Sequence, residues 1–334
     1  MTLRVGVIGT GNIGTDHARR LSAQISGARV GAVFDVDAAR AREVAGEVGA
    51  VAFDRATDLI DDASVDAVII ASPGDTHADL ALACIAADKP VLCEKPLATT
   101  SGAALKVLGA EIAHGRRLIQ VGFMRRYDAG YRVVKAAIDD GVIGEPLLAH
   151  CVHRNATVPD SFTSEMSLTD SVIHEIDTSR WLLGQEITGT TVVATRRSPL
   201  AAAHLRDPQL VLLETEAGVV VEVEIFVNCR YGYDVRCEVV GATGTASLDA
   251  PSTGAVTREG QRTQAIPPDW RVRFGGAYRQ ELQDWVDSVQ AGAARGPSAW
   301  DGYAATAVAE SCVASLTEGA RTGVTLVDRP ALYA

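Results

Sequence analysis

No apolar run in this 334-residue chain approaches the roughly 20 residues that a membrane-spanning helix needs. No basic stretch stands out either. Against 42 Asp and Glu there are 31 Lys and Arg, a formal net charge of -11, so no nucleic-acid partner is expected. Six cysteines (Cys84, Cys93, Cys151, Cys229, Cys237, Cys312) are scattered without a C-x-x-C pair. That spacing argues against a structural zinc site, so no metal is expected, and the six read as buried thiols in a reducing cytoplasm. The N-terminus runs straight into strand-like sequence, so no signal peptide is expected. No short-period repeat or low-complexity tract is visible. What remains is ordinary for a soluble globular protein: 47% apolar and 22% charged residues, in a length that suits two domains.

The most informative stretch lies near the start. Residues 3–8 (LRVGVI) read as a short buried strand. Gly9-Thr10-Gly11-Asn12-Ile13-Gly14 follows, then a helical pattern to about residue 25, then a second strand over 29–34 ending at Asp35. Strand, glycine loop, helix, strand and acid together form a dinucleotide-binding fingerprint. Gly9 allows the tight turn, Gly11 lets a pyrophosphate approach the backbone, and Gly14 lets helix pack on strand. The helix N-terminus offers unpaired N–H groups and a positive dipole end. Asp35 can accept hydrogen bonds from both ribose hydroxyls and would repel a 2′-phosphate, which favours NAD over NADP. Arg40 and Arg42 lie close by in sequence and are read as solvated residues of the next helix.

Up to residue 121 the pattern alternates strand and helix, with strands expected over 51–53, 67–71, 90–93 and 117–121. Such alternation implies a parallel sheet with helices on both faces, an α/β Rossmann-type domain. Beyond it, a helix over 129–140 and a strand over 147–155 lead into a helix over 169–183. Strand-like runs follow at 190–197, 209–214, 219–227, 234–240 and 245–248. Runs of strands with few helices between them imply an α+β domain with a large, mostly antiparallel open sheet. Two Ala-rich helices, 278–290 and 300–318, end the chain, and they are free to pack back on the first domain. The expected division is 1–121 for dinucleotide binding and 122–334 for substrate binding and oligomerisation.

Three places carry candidate chemistry. Ser72-Pro73 lies at the carboxyl edge of the fourth strand, where such sheets bind ligands. His77 follows in a helix that Asp75 or Thr76 would cap. Glu94-Lys95-Pro96 ends the fifth strand, where the Lys95 ammonium could polarise a substrate oxygen. Asp170, His174 and Asp177 stand four and three apart, on one face of a helix. A carboxylate one turn from a histidine can fix its tautomer and raise its basicity. The competing reading is a solvated polar face, but two acids around one His in an otherwise apolar helix favour a site. His153 and Asn155, and Tyr231 and Tyr233, are i, i+2 pairs that would each share one strand face. They line a pocket or pack the sheet. Arg125 binds ligand or supports a hinge.

Gly9–Gly14, Glu94-Lys95-Pro96 and the run from Asp170 through His174 to Asp177 together resemble the Gfo/Idh/MocA family of NAD(P)-dependent oxidoreductases, over essentially the whole chain. Residues 122–128 (GFMRRYD), 152–155 (VHRN) and 231–234 (YGYD) resemble its inositol-oxidising branch. The resemblance implies Lys95, Asp170 and His174 as the catalytic group, with His174 as base. It implies cofactor contacts from the glycine loop, Asp35, Ser72, Pro73, His77, Glu94 and Lys95. Substrate contacts or support would come from Arg125, Asn155, Asp177 and Tyr233, besides the catalytic three. It further implies oxidation of myo-inositol to its 2-keto product and a homotetramer built through the open face of the C-terminal sheet. Alternatives are another inositol isomer or an aldose as substrate, a redox glycosidase that keeps its NAD, and a non-catalytic NAD-binding sensor.

Overall fold

The computed structural model of the chain describes residues 2–248, 255–292 and 294–334. The chain folds into two compact units. Met1–Phe123, Tyr278–Thr306 and Leu326–Ala334 form the first, and Met124–Ala277 and Ala307–Thr325 the second. A single cut at residue 121 therefore does not divide the chain in this way. Tyr278–Thr306 joins the first unit because Leu282, Trp285 and Val286 lie in one apolar cluster with Val5, Val7, Leu21, Val33 and Ile69.

In the first unit the strands are β1 (Leu3–Ile8), β2 (Ala28–Phe34), β3 (Val51–Ala52), β4 (Ala67–Ile70), β5 (Val91–Glu94) and β6 (Ile119–Gly122). They form one parallel sheet in the order β3-β2-β1-β4-β5-β6. The connecting helices are α1 (Asn12–Ala23), α2 (Ala38–Val48), α3 (Ala56–Asp61), α4 (His77–Ala86) and α5 (Ser101–His114). Sheet order reverses between β1 and β4, and ligands bind such sheets at that reversal, beyond the carboxyl strand ends. Every residue of β4 and β5 is buried; β4 is apolar throughout, as burial on both faces requires, and β5 is apolar up to Glu94 at its carboxyl end.

The second unit begins with α6 (Ala129–Asp139), β7 (Pro146–Arg154) and a single turn, α7 (Ser164–Met166). A helix α8 (Ile173–Leu183) comes next, then β8 (Ile187–Ala194), β9 (Gln209–Thr215), β10 (Val220–Phe226), β11 (Asp234–Gly241) and β12 (Thr245–Ser247). A hairpin β13 (Ala255–Arg258) and β14 (Gln261–Gln264) stands apart. The long helices α9 (Trp270–Gln290) and α10 (Ala299–Glu318) precede the short edge strand β15 (Thr322–Gly323). The sheet order is β12-β11-β7-β10-β9-β8-β15. Among the described residues of this sheet only β7 and β10 pair in parallel; the other neighbours are antiparallel. Along β10 the side chains alternate: Val221, Val223 and Ile225 are buried, while Glu222 and Glu224 are half-buried. Such alternation marks a sheet packed on one face only. On the other face Glu224 holds Arg154 of β7 through two hydrogen bonds, at 2.7 and 2.6 Å.

Several expectations change here. The helix expected over 169–183 is regular only from Ile173, because Ser167–Val172 is π-helical. Asp170 thus lies in a wider turn than the one that carries His174. Tyr231 and Tyr233 do not share a strand face. They precede β11, and Gly232 between them has φ +144, with Ile266 and Pro267 where a Cβ would point. Tyr231 is consequently exposed and Tyr233 buried. Neither Asp75 nor Thr76 caps α4 with its side chain. Thr76 sits in right-handed helical geometry after a 3-10 turn, and its hydroxyl bonds Pro73 O at 2.7 Å. The hairpin is an addition to the expected elements, and α9 begins at Trp270 rather than near residue 278. Cys229 is half-buried, and the other five thiols are buried.

Candidate active site

At the β2 end, Asp35 is buried and accepts four hydrogen bonds. Oδ2 accepts the Thr10 N–H at 2.6 Å and the Thr10 hydroxyl at 3.0 Å. Oδ1 accepts the Asp37 N–H and an Arg40 N–H, each at 2.8 Å. Arg40 is therefore an ion-pair partner of Asp35, not a merely solvated residue, because α2 starts close enough for its side chain to fold back. Burial pushes the Asp35 pKa up, but Arg40, Asp37 and Thr10 outweigh it and hold the carboxyl at about 2. The sign follows: Asp35 contributes stability above pH ~3.9, and that share is lost as pH falls through about 2.

The glycine loop fits a dinucleotide. A Cβ at Gly14 would stand 1.9 Å from the Gly9 carbonyl oxygen, so helix and loop approach as only glycine permits. At Gly11 nothing lies within 4 Å of where a Cβ would point, which leaves the backbone open to a phosphate. Asn12 and Ile13 open α1 beside it. Asp35→Ala is expected to lower kcat/KM with NAD about ten- to a hundredfold, the loss for hydrogen bonds to a charged group. With NADP it should change far less, and equal effects on both cofactors would exclude ribose recognition by Asp35.

Past β4 and β5, two loops of the first unit are tied together. His77, buried, has Nδ1 2.7 Å from Pro96 O and Nε2 2.8 Å from Ser72 O. Ser72 Oγ meets Thr76 Oγ1 at 2.7 Å, over Pro73. The Lys95-Pro96 peptide is cis. Glu94 is buried, with Oε1 2.7 Å from His17 Nε2 and Oε2 accepting the Lys95 N–H at 3.3 Å. Lys95 itself is half-buried.

The second unit gathers Arg125, His153, Asp170, His174, Asp177 and Tyr233 by different routes. Arg125, in a 3-10 turn before α6, is buried with Glu175 as its ion-pair partner. His153 projects from the buried face of β7, and its ring lies 6.4 Å from that of His174 and 5.7 Å from that of Tyr233. Asp170 is half-buried and His174 buried. Asp177 is fully buried and accepts two hydrogen bonds from Arg126, one of them at 3.0 Å from Nε. Burial raises the Tyr233 phenol pKa against the pull of the Arg125 guanidinium. Asn155 lies one residue beyond the β7 end and is half-buried.

Glu175 was absent from the sequence-derived site. Burial would raise its pKa, but the Arg125 charge, then His153, more than offset that and hold the carboxyl below its usual range. Its only sequence signal is an acid between His174 and Ile176 in an apolar helix. Among the described residues, no cluster of His, Cys, Asp and Glu could hold a metal ion. No helix among them is long and apolar enough to cross a membrane.

Two profiles of one oxidoreductase family match the chain. The NAD-binding Rossmann fold matches residues 3–123, and the C-terminal alpha/beta domain matches 135–326. Inositol 2-dehydrogenase 3 of Saccharopolyspora erythraea is 54% identical over 333 residues, covering 100% of this chain and 98% of that protein. Inositol 2-dehydrogenase of Azotobacter vinelandii is 50% identical, covering 100% and 99%. The crystal structure of myo-inositol dehydrogenase from Lactobacillus casei, in complex with NAD(H) and myo-inositol, superposes with a TM-score of 0.97 at 37% identity, covering 100% of both chains. Scyllo-inositol dehydrogenase from the same organism, with NAD(H) and scyllo-inositol, gives a TM-score of 0.89 at 25% identity, covering 97% of this chain and 99% of that one. The glycine loop, the acid at the β2 end and the matches across both units thus agree, and the chain belongs to the Gfo/Idh/MocA family of NAD-binding oxidoreductases.

Proposed function

We propose that the protein oxidises myo-inositol at C2 to the ketone scyllo-inosose, with NAD as the acceptor. The observation that carries this reading is the full-length likeness, in sequence and in fold, to enzymes that bear that activity in their names. His174 is assigned as the base that takes the proton from the ring hydroxyl. Asp170 orients His174, and Lys95 holds the reacting oxygen. NAD supplies the hydride acceptor. Asn155, Arg125, Tyr233 and Asp177 are assigned to the remaining hydroxyls or to supporting the groups that bind them. Gly9, Gly11, Asn12, Ile13, Gly14, Asp35, Ser72, Pro73, His77 and Glu94 are assigned to the cofactor side.

A second reading exchanges myo-inositol for scyllo-inositol, favoured by the second Lactobacillus casei likeness. Ring-hydroxyl orientation is read by pocket geometry rather than by residue type. The deciding experiment follows NADH absorbance with myo-, scyllo- and chiro-inositol, glucose and xylose, each with NAD and NADP. Fast turnover of myo-inositol with NAD is expected. Faster turnover of another polyol would move the substrate and keep the chemistry. Silence with NAD still bound would favour a redox glycosidase or a sensor.

We further propose a cytoplasmic homotetramer assembled through the half-buried face of the second unit's sheet. Val152, Leu210, Leu212 and Phe226 on that face are incompletely covered within one chain. Sedimentation at a monomer mass would sink the tetramer.

A further inference from the structure

Three side chains in the second unit, Arg125, His153 and Glu175, form a buried cluster. Arg125 and Glu175 have side chains 1% exposed, and that of His153 is 3% exposed. Glu175 Oε1 takes an N–H of Arg125. Glu175 Oε2 lies 3.0 Å from His153 Nδ1, and Arg125 Nη2 lies 3.2 Å from the same nitrogen. One nitrogen thus faces an anionic acceptor and a cationic donor at once, and it can satisfy only one of them.

Charge and distance decide which. A bare Nδ1 would set its lone pair against the nearer carboxylate oxygen in a site closed to water. A proton on Nδ1 turns that clash into a charge-assisted hydrogen bond. The cluster holds one carboxylate and one guanidinium, so it is neutral only when His153 is neutral. A second proton on the ring would add an uncompensated buried charge beside Arg125. With Nδ1 protonated and the ring neutral, Nε2 carries a lone pair. Among the described residues, both polar contacts of His153 run through Nδ1, so Nε2 has no protein partner. Tyr233 packs edge-on against the ring at 5.7 Å and limits its rotation.

We propose that Glu175 is a positioning residue: it fixes the Nδ1–H tautomer of His153, so that Nε2 is offered as a hydrogen-bond acceptor to a substrate hydroxyl. The identity of that donor rests on the polyol reading, whereas the tautomer does not. Glu175 acts through His153 and touches no reacting atom. The device resembles the way a carboxylate sets the free nitrogen of a metal-bound histidine.

Neutron diffraction on hydrogen-exchanged wild-type protein reads the tautomer directly. Deuterium is expected on Nδ1 of His153 and none on Nε2. Deuterium on Nε2, alone or with Nδ1, overturns the proposal. Kinetics provide the second arm. In Glu175→Gln the side-chain amide can donate to Nδ1, which moves the ring proton to Nε2 and makes it a donor. The KM for the polyol should rise about tenfold, the scale of one hydrogen bond. The Kd for NAD should stay unchanged, and Glu175→Asp should recover part of the loss. An unchanged KM in the Gln variant, with polyol turned over, would remove the functional half of the proposal. If Glu175→Gln does not fold, the neutron measurement still decides. If the tautomer is as stated but no polyol is oxidised, the polyol reading fails and the assignment of Glu175 stands.

Discussion

Replacing His174 by alanine is expected to lower kcat by about 10²–10⁴-fold, the usual contribution of a positioned general base, while the Kd for NAD stays unchanged. His174 is buried in α8 with its ring centroid 6.4 Å from that of His153, so the melting temperature of the variant is measured beside its kcat to separate lost chemistry from lost stability. If His174 is the base, wild-type kcat/KM should fall as the medium becomes acidic enough to protonate it. The residual rate of the alanine variant should lose that limb. Equal weakening of NAD binding and turnover would instead make His174 a structural residue, and the proton would need another acceptor.

Arg125→Ala should produce the largest loss of stability. It leaves the Glu175 carboxylate buried without its guanidinium, and removing one member of a buried ion pair destabilises by about 3–5 kcal/mol. For a unit of this size that corresponds to a fall in Tm of about 10 °C, read by calorimetry or circular dichroism. Loss of the guanidinium from between the Tyr131 and Phe274 rings, at 6.0 and 5.7 Å, acts in the same direction. Arg125→Lys should recover only part, because an ammonium can meet Glu175 but lacks the planar guanidinium that lies against the Tyr131 and Phe274 rings. A fall of a degree or two would mean that Glu175 takes up a proton or water in the variant.

The first unit was legible because its physics is local. Buried parallel strands read as unbroken apolar runs, and the glycine spacing reflects a close approach that any side chain would block. Antiparallel strands of the second unit were legible from alternation, to within a few residues. What escaped the sequence depends on partners distant in the chain or on local geometry without a compositional mark. Arg40 looked like any helix-surface arginine until α2 brought it to Asp35. Glu175 looked like one acid among apolar residues, since its partner lies 50 positions earlier. The π-helical Ser167–Val172 has no periodicity that separates it from an α-helix over six residues. Hairpin strands β13 and β14 are exposed throughout, so no apolar face announced them.

The way the chain alternates between its two units has a consequence for inheritance. It passes from one to the other four times, after residues 123, 277, 306 and 325. No contiguous stretch of the gene encodes either unit, and the Rossmann part is completed by Leu282, Trp285 and Val286, translated long after its strands. A recombination event that exchanged residues 1–123 alone would import a sheet without the side chains that close one of its faces. Swapping the cofactor half alone between relatives therefore demands four coordinated crossovers, one at each boundary, and the two halves are expected to travel through evolution as one heritable block.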